Sequence, residues 1–251
     1  MNDVRLDKYI SQALGFTRSE SKTVIKNKKI KVNGNIVRDS DYKVQENDIV
    51  TYNDNQISYE ENVYLMMNKP KDYICSTEDS RNKIVLDLIS GYNISKLMIV
   101  GRLDIDTTGL LLITNDGSFV HKLTSPNKKI TKKYYVECDK EFSEEDEKAF
   151  LDGITIYLEK DEPYKCISST LEILEDKHNA YISITEGKFH QVKKMCAAVS
   201  KKVLKLKRVQ IGNLMLDNNL KEGEYRPLTK EELEMLSWFF IFIALKVEKP
   251  I

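Results

Sequence analysis

Apolar positions early in the chain follow a helical period. Leu6, Ile10 and Leu14 recur at i, i+4 and i+8, which predicts a short amphipathic helix that Gly15 can end. Thr17 with Glu20 three positions on is a capping-box signature opening a second helix. Val24 and Ile25 give that helix its apolar side, while Lys22, Lys26, Lys28 and Lys29 face outward. The pattern then switches to alternation: Ile30-Lys31-Val32 and Ile36-Val37 flank Asn33-Gly34, a strong two-residue hairpin signal. Residues 1–57 thus read as a small module, a helix pair against a small sheet with a lysine-rich surface. A linker over 58–62 separates it from a second domain over 63–236. There, Val63 to Met67 enters a new core as a strand broken by Lys69-Pro70. Leu110 to Ile113 is a continuous apolar run suited to a buried strand, with a polar loop before it and an Asn115-Asp116-Gly117 turn after it. Lys132 to Val136 predicts a strand with Tyr134 and Val136 on one face and Tyr135 on the other. Thr185 to Met195 predicts a Gly-containing turn and then a helix carrying Lys188, His190 and Lys193, with Val192, Met195, Cys196 and Val199 buried. The tail, 237–251, is apolar and needs cover, from packing of a terminal helix on the core or from a dimer contact, unless it is an unusual terminus.

Composition narrows the class. A chain of 251 residues, 41% hydrophobic and 31% charged, has the profile of a folded protein of one large or two unequal domains. The apolar run in the tail falls far short of the roughly 20 residues of a membrane helix. The start carries charge where a signal peptide needs an apolar core, so a cytoplasmic protein is expected. Cys75, Cys138, Cys166 and Cys196 are far apart, and only three histidines accompany them, so reduced buried thiols are expected and no metal cluster.

Basic and acidic residues balance at 39 each, but unevenly along the chain. Lys22 to Lys31 and His121 to Lys133 each hold five lysines and no acid, and Lys188 to Arg208 holds eight basic side chains and no acid. The compensating charge is concentrated in Glu137 to Glu162, with eleven acidic residues against three lysines. Basic runs that converge in the fold would form a phosphate-binding face; pointing apart, they are solvated surfaces. Only seven basic residues are arginines, and one, Arg102, stands two positions before Asp104 in the loop ahead of the apolar run. A planar, stackable cation suits a site that handles bases, though Arg102 could equally pair with Asp104 or Asp106 to cap the strand. Tyr134 alone reads as core, and His190 as a helix-start histidine or a catalyst.

Two resemblances organise these observations. RLDKYISQALGFTRSESKTVIKNKKIKVNG, with a further strand region ending at VQENDIV, resembles the S4 RNA-binding domain. It departs at Gln45 to Asp48, where that domain usually carries a Gly before the Asp. GRLDIDTTGL, KKY and EGKFHQVKKM, in that order, resemble the motifs of the RsuA/RluB/RluE/RluF group of pseudouridine synthases, accompanied by NKPKDYICSTEDS, HKLTSP and LKEGEYRPLTKEEL. CSTED, DIDTTGL and HKLTSP are nearest to the RsuA type, which acts on small-subunit 16S rRNA. The resemblance implies an α+β protein: a small S4-like α/β module followed by a mixed, largely antiparallel-sheet catalytic domain. It implies isomerisation of one uridine of 16S rRNA to pseudouridine without a cofactor. The same reaction on 23S rRNA, and a non-catalytic rRNA-binding assembly factor, are the alternatives. By resemblance Asp104 is the catalytic aspartate, Lys193 the basic residue that pairs with it and Tyr134 the tyrosine that stacks on the base. The resemblance also implies that Arg102 fills the space the uridine vacates or holds the neighbouring backbone, and that Leu206 lines the base pocket or belongs to the core. Lys22, Lys26 and Lys29 are expected on RNA phosphates. The expected partner is ribosomal RNA, free or in a small-subunit particle, met by a monomer without a membrane.

Overall fold

A computed structural model of the chain describes residues 4–236 apart from 46 and 59–61. The apolar tail and the middle of the expected linker lie outside the described residues. The chain separates into two compact units, Met1–Asn62 and Val63–Ile251.

In the first unit, β1 (Val4–Arg5) leads into α1 (Leu6–Leu14), and α2 (Arg18–Lys26) follows. Gly15 ends α1 in the left-handed conformation at φ 71°, and Thr17 with Glu20 closes the capping box of α2. Then come β2 (Ile30–Val32), β3 (Asn35–Ile36), β4 (Lys43–Val44), β5 (Val50–Tyr52) and β6 (Asn55–Ile57). Four of them form an antiparallel sheet in the order β3-β2-β5-β6, while β4 pairs with β1. Asn33 and Gly34 both take positive φ, 51° and 80°, as a two-residue hairpin turn requires. Leu6, Ile10, Ile25, Ile30 and Val50 form the core, each burial worth roughly 1.5–3 kcal/mol. The Gln45 to Asp48 turn closes without a glycine, because the Asp48 carboxylate accepts from Gln45 N at 2.9 Å and from Asn33 Nδ2 at 2.7 Å.

The second unit is built on one nine-stranded sheet. Its elements are β7 (Tyr64–Lys69), β8 (Met98–Val100), β9 (Thr108–Thr114), α3 (Gly117–Thr124), β10 (Lys132–Cys138) and α4 (Glu144–Asp152). A side hairpin, β11 (Thr155–Tyr157) and β12 (Pro163–Lys165), precedes β13 (Thr170–Ile173), β14 (Asn179–Ile184) and α5 (Gln191–Ala198). β15 (Val203–Ile211), β16 (Leu214–Met215), β17 (Tyr225–Pro227) and a helix over 230–236 complete it. The sheet order is β13-β14-β10-β15-β9-β7-β17, with β16 beside β15 and β8 beside β9. Every pairing is antiparallel except that of β9 with β15.

The continuous apolar run of β9 follows from this position. All seven of its residues are buried. Leu111 and Ile113 enter one core, with Val136, Phe150 and Met195; Leu110 and Leu112 enter the other, with Phe119 and Ile211. A strand covered on both faces has no polar side to alternate. β10 keeps the expected alternation, with Tyr134, Val136 and Cys138 buried.

Two local expectations are corrected. The Asn115-Asp116-Gly117 turn is a helix start: the Asp116 carboxylate caps α3 by accepting from Ser118 N at 2.9 Å and Phe119 N at 3.2 Å. Lys188 and His190 lie outside α5. The Gln191 side chain folds back to accept from Lys188 N at 2.8 Å, and His190 sits before the helix at φ 53°.

Candidate active site

The polar loop from Gly101 to Thr107 feeds β9 at the junction with its parallel neighbour β15. Gly109 is what allows the two strands to approach: at φ 101°, a Cβ there would lie 2.2 Å from the Arg208 carbonyl oxygen. Several groups pin the loop. Lys69, fully buried at the end of β7, donates from Nζ to the carbonyls of Thr107 (2.9 Å), Pro70 (3.0 Å) and Ile105 (3.3 Å). Burial lowers the Lys69 pKa, partly opposed by Cys75, Asp106 and Asp104. Asp72 N donates to Ile105 O at 3.0 Å, and Leu103 N to Cys75 Sγ at 3.4 Å.

The loop carries Asp104 to α5, whose first turn supplies Lys193. Lys193 Nζ lies 3.1 Å from Asp104 Oδ2 and 2.5 Å from Asp106 Oδ1, and His190 Nε2 lies 3.6 Å from Asp104 Oδ1. Burial raises the Asp106 carboxyl, but its hydrogen bond and charge contact with Lys193 outweigh this and leave its pKa below the usual value. Lys193 is thus shared between two carboxylates, of which Asp104 is the less exposed, at 26% against 61%. Arg102 pairs with neither among the described residues; it is exposed on the wall of the adjoining cavity.

That cavity has a volume of about 710 Å³ and is lined by Arg102, Asp104, Lys132, Tyr134, His190 and Arg208, among others. Tyr134 is 8% exposed, and directly across the strand pair β10–β15 stands Arg208. Two of the three basic runs therefore meet here, Lys132 from one and Lys188 and Arg208 from the other. At the rim Phe189 is 57% exposed and stacks on His190 with ring centroids 3.8 Å apart. Burial and the Arg208 charge lower Lys132 to about 8, against the raising effect of Glu186. The Glu186 carboxylate accepts from Gln191 Nε2 at 2.6 Å and from the Tyr164 hydroxyl at 2.7 Å, the latter holding the phenol up at about 12.

The expected site residues are thus partly gathered. Asp104, Tyr134 and Arg102 share one cavity, and Lys193 reaches it through its ion pair with Asp104. Leu206 is not among the residues lining that cavity: at 5% exposure it packs in the core with Tyr134 and Val136, because it stands opposite Val136 across β10–β15, two residues along the same strand face from Arg208. Lys22, Lys26 and Lys29 are exposed in the other unit. From sequence, Lys69, Lys132 and Arg208 received no site role, and Asp106 entered only as a candidate partner of Arg102. Arg208 carried a signal, since it is one of the few arginines in a lysine-rich chain.

Residues 63–198 match the RNA pseudouridylate synthase family, and residues 4–50 match the S4 domain. The ribosomal small subunit pseudouridine synthase A of Haemophilus influenzae is 40% identical over 234 residues, 93% of this chain and 99% of its own. The chain belongs to the RNA pseudouridylate synthase family. The Escherichia coli protein of the same name is 38% identical over 92% of this chain and 98% of its own length. A crystal structure of a pseudouridylate synthase, 38% identical, superposes with a TM-score of 0.67 over 93% of this chain and 99% of that one. Family membership accounts for the α+β architecture, with its largely antiparallel sheet, and gives the activity class: isomerisation of uridine in RNA to pseudouridine. No helix among the described residues is long and apolar enough to cross a membrane.

Proposed function

We propose that this chain isomerises one uridine of 16S rRNA, with Asp104 as the catalytic carboxylate. The observation that carries this reading is Asp104 on the wall of the cavity of about 710 Å³, fixed by Lys193 at 3.1 Å and facing a space shared with Tyr134 and Arg102. The small-subunit target rests on the names of the relatives that align over nearly the whole chain. The reaction breaks the bond from uracil N1 to C1′, turns the base and joins C5 to C1′. The C5 proton leaves and N1 gains one, so the reaction needs neither oxidant nor reductant.

Asp104 acts on the sugar, as carboxylates do at anomeric carbons. A base entering the cavity strips water from the carboxylate, and the Lys193 ammonium supplies the compensating charge. The target uridine must leave its stack to reach this depth; Tyr134 stacks on the extruded base, and Arg102 at the mouth takes the vacated place or holds the neighbouring backbone. Lys22, Lys26 and Lys29 contact RNA phosphates, which sets position and not sequence. The chain works as a cytoplasmic monomer on free rRNA or on an assembling small-subunit particle.

The test is to incubate purified full-length protein with unmodified 16S and 23S rRNA and to map pseudouridine chemically. A single modified uridine in 16S rRNA is expected. Modification of 23S rRNA instead would overturn the target, and RNA binding without modification would point to an assembly factor.

A further inference from the structure

Arg208 is 2% exposed and forms no ion pair with a carboxylate among the described residues. Its Nε donates to Leu110 O at 2.8 Å. Nη2 is buried with no acceptor among the described residues, and Nη1 lies 4.0 Å from the position a Cβ on Gly101 would take. An unpaired buried donor costs about 1–3 kcal/mol, and a buried charge without a counter-charge costs more. A second cation, Lys132, lines the same cavity and, among the described residues, donates only to the carbonyls of Ile130 and Glu186, at 3.3 and 3.4 Å. The nearby Glu186 carboxylate is already engaged by Tyr164, Gln191 and Ile167 N. The cavity floor is thus a surplus of positive charge and free N–H donors.

Position selects the ligand. Arg208 stands directly opposite Tyr134 across β10–β15, next to the ring on which the base is expected to stack. A nucleotide entering base-first presents the edge of its base to that floor, while its phosphates stay near the exposed Arg102 and Lys188 at the mouth. The uracil edge offers two carbonyl acceptors, O2 and O4. We propose that Arg208 is a substrate-contacting residue whose Nη groups donate to a uracil carbonyl oxygen and stabilise the negative charge the base takes up as N1–C1′ breaks. The electron pair of that bond passes to the uracil ring and spreads over N1, O2 and O4. It is consumed when C5 bonds to C1′, with loss of the C5 proton and uptake of one at N1. The inference rests on the pseudouridine reading above and adds a role that Asp104, Lys193 and Tyr134 do not fill.

Single-turnover conversion of rRNA by full-length protein tests it. Arg208→Met is expected to slow conversion by about 10²–10³-fold, the usual cost of one preorganised donor. RNA affinity should stay within about threefold of native, since the phosphates are held elsewhere. A folded Arg208→Met protein converting at the native rate overturns the contact. A second arm changes the RNA instead: 2-thiouridine or 4-thiouridine at the target replaces one carbonyl oxygen by sulfur, a weaker acceptor. One of these should slow the native enzyme by roughly tenfold more than it slows Arg208→Lys. Equal slowing of both proteins by both RNAs overturns the contact even if Arg208→Met fails to fold. Native protein that forms no pseudouridine in any rRNA would instead remove the reading on which the inference rests.

Discussion

Replacing Lys69 by Met keeps the volume of a fully buried side chain and deletes its ammonium. The Thr107 carbonyl, bonded at 2.9 Å in a fully buried contact, would lose its donor, at about 1–3 kcal/mol. The Pro70 and Ile105 carbonyls, at 3.0 and 3.3 Å in partly buried contacts, can recruit water and add about 0.5–1 kcal/mol each. Burial already lowers the Lys69 pKa, so relief of that desolvation offsets part of the loss. The balance is a destabilisation of about 1–3 kcal/mol, or a fall in Tm of roughly 2–12 °C for a domain of this size. The functional loss should be larger than the stability loss, because those carbonyls belong to the loop that carries Asp104. A drift of about 1 Å in a reacting group can cost 10²-fold. Calorimetry and single-turnover conversion, both well below Tm, measure the two effects separately. A Lys69→Met protein with native Tm and native rate would refute the claim that this lysine latches the loop.

Other expectations follow from the same geometry. The Asp106 pKa is depressed, so its contribution to stability is present above the unfolded value of about 3.8 and lost as pH falls through the lower folded value. Tm should therefore drop more steeply between about pH 5 and pH 2 in the native protein than in Lys193→Met, and identical slopes would show that Lys193 does not hold Asp106 down. Lys132 titrates near 8 when folded and near 10.5 when unfolded, so the folded state holds fewer protons in that window and stability from this group rises with pH. Lys132→Met should raise Tm at neutral pH, with the advantage shrinking as the pH passes 8; a pH-independent difference would contradict this. Gly109→Ala places a methyl 2.2 Å from the Arg208 carbonyl oxygen at φ 101° and should destabilise by more than about 3 kcal/mol, measured by urea unfolding. A well-folded Gly109→Ala protein would mean that β9 and β15 can part without loss.

Legibility in the sequence tracked whether the determining interaction was local. The end of α1 at Gly15, the capping box of α2, the Asn33-Gly34 hairpin and the face of Tyr134 on β10 all depend on spacings within a few residues. Asp104 stood out because a polar loop precedes a rigid apolar strand, and the resemblance supplied its role. His190 was harder. Its positive φ and the capping of Lys188 by the Gln191 side chain depend on backbone geometry that hydrophobic periodicity does not encode. Lys69 and Arg208 have long-range partners: the carbonyls of Ile105 and Thr107 lie 36 and 38 residues from Lys69, and Leu110 lies 98 from Arg208. A lysine closing an apolar strand and an arginine among lysines were the only local marks they left. Leu206 was open between core and pocket in the sequence, and only the pairing of β15 with β10 places it in the core.

The central claim is that pseudouridine formation depends on the carboxylate of Asp104, held by Lys193 at the cavity wall. The direct measurement is single-turnover conversion of 16S rRNA by Asp104→Asn, which keeps the size and shape of the side chain, with RNA binding measured on the same preparation. The account predicts RNA binding near the native level and no pseudouridine formed. Conversion by Asp104→Asn at the native rate would contradict it.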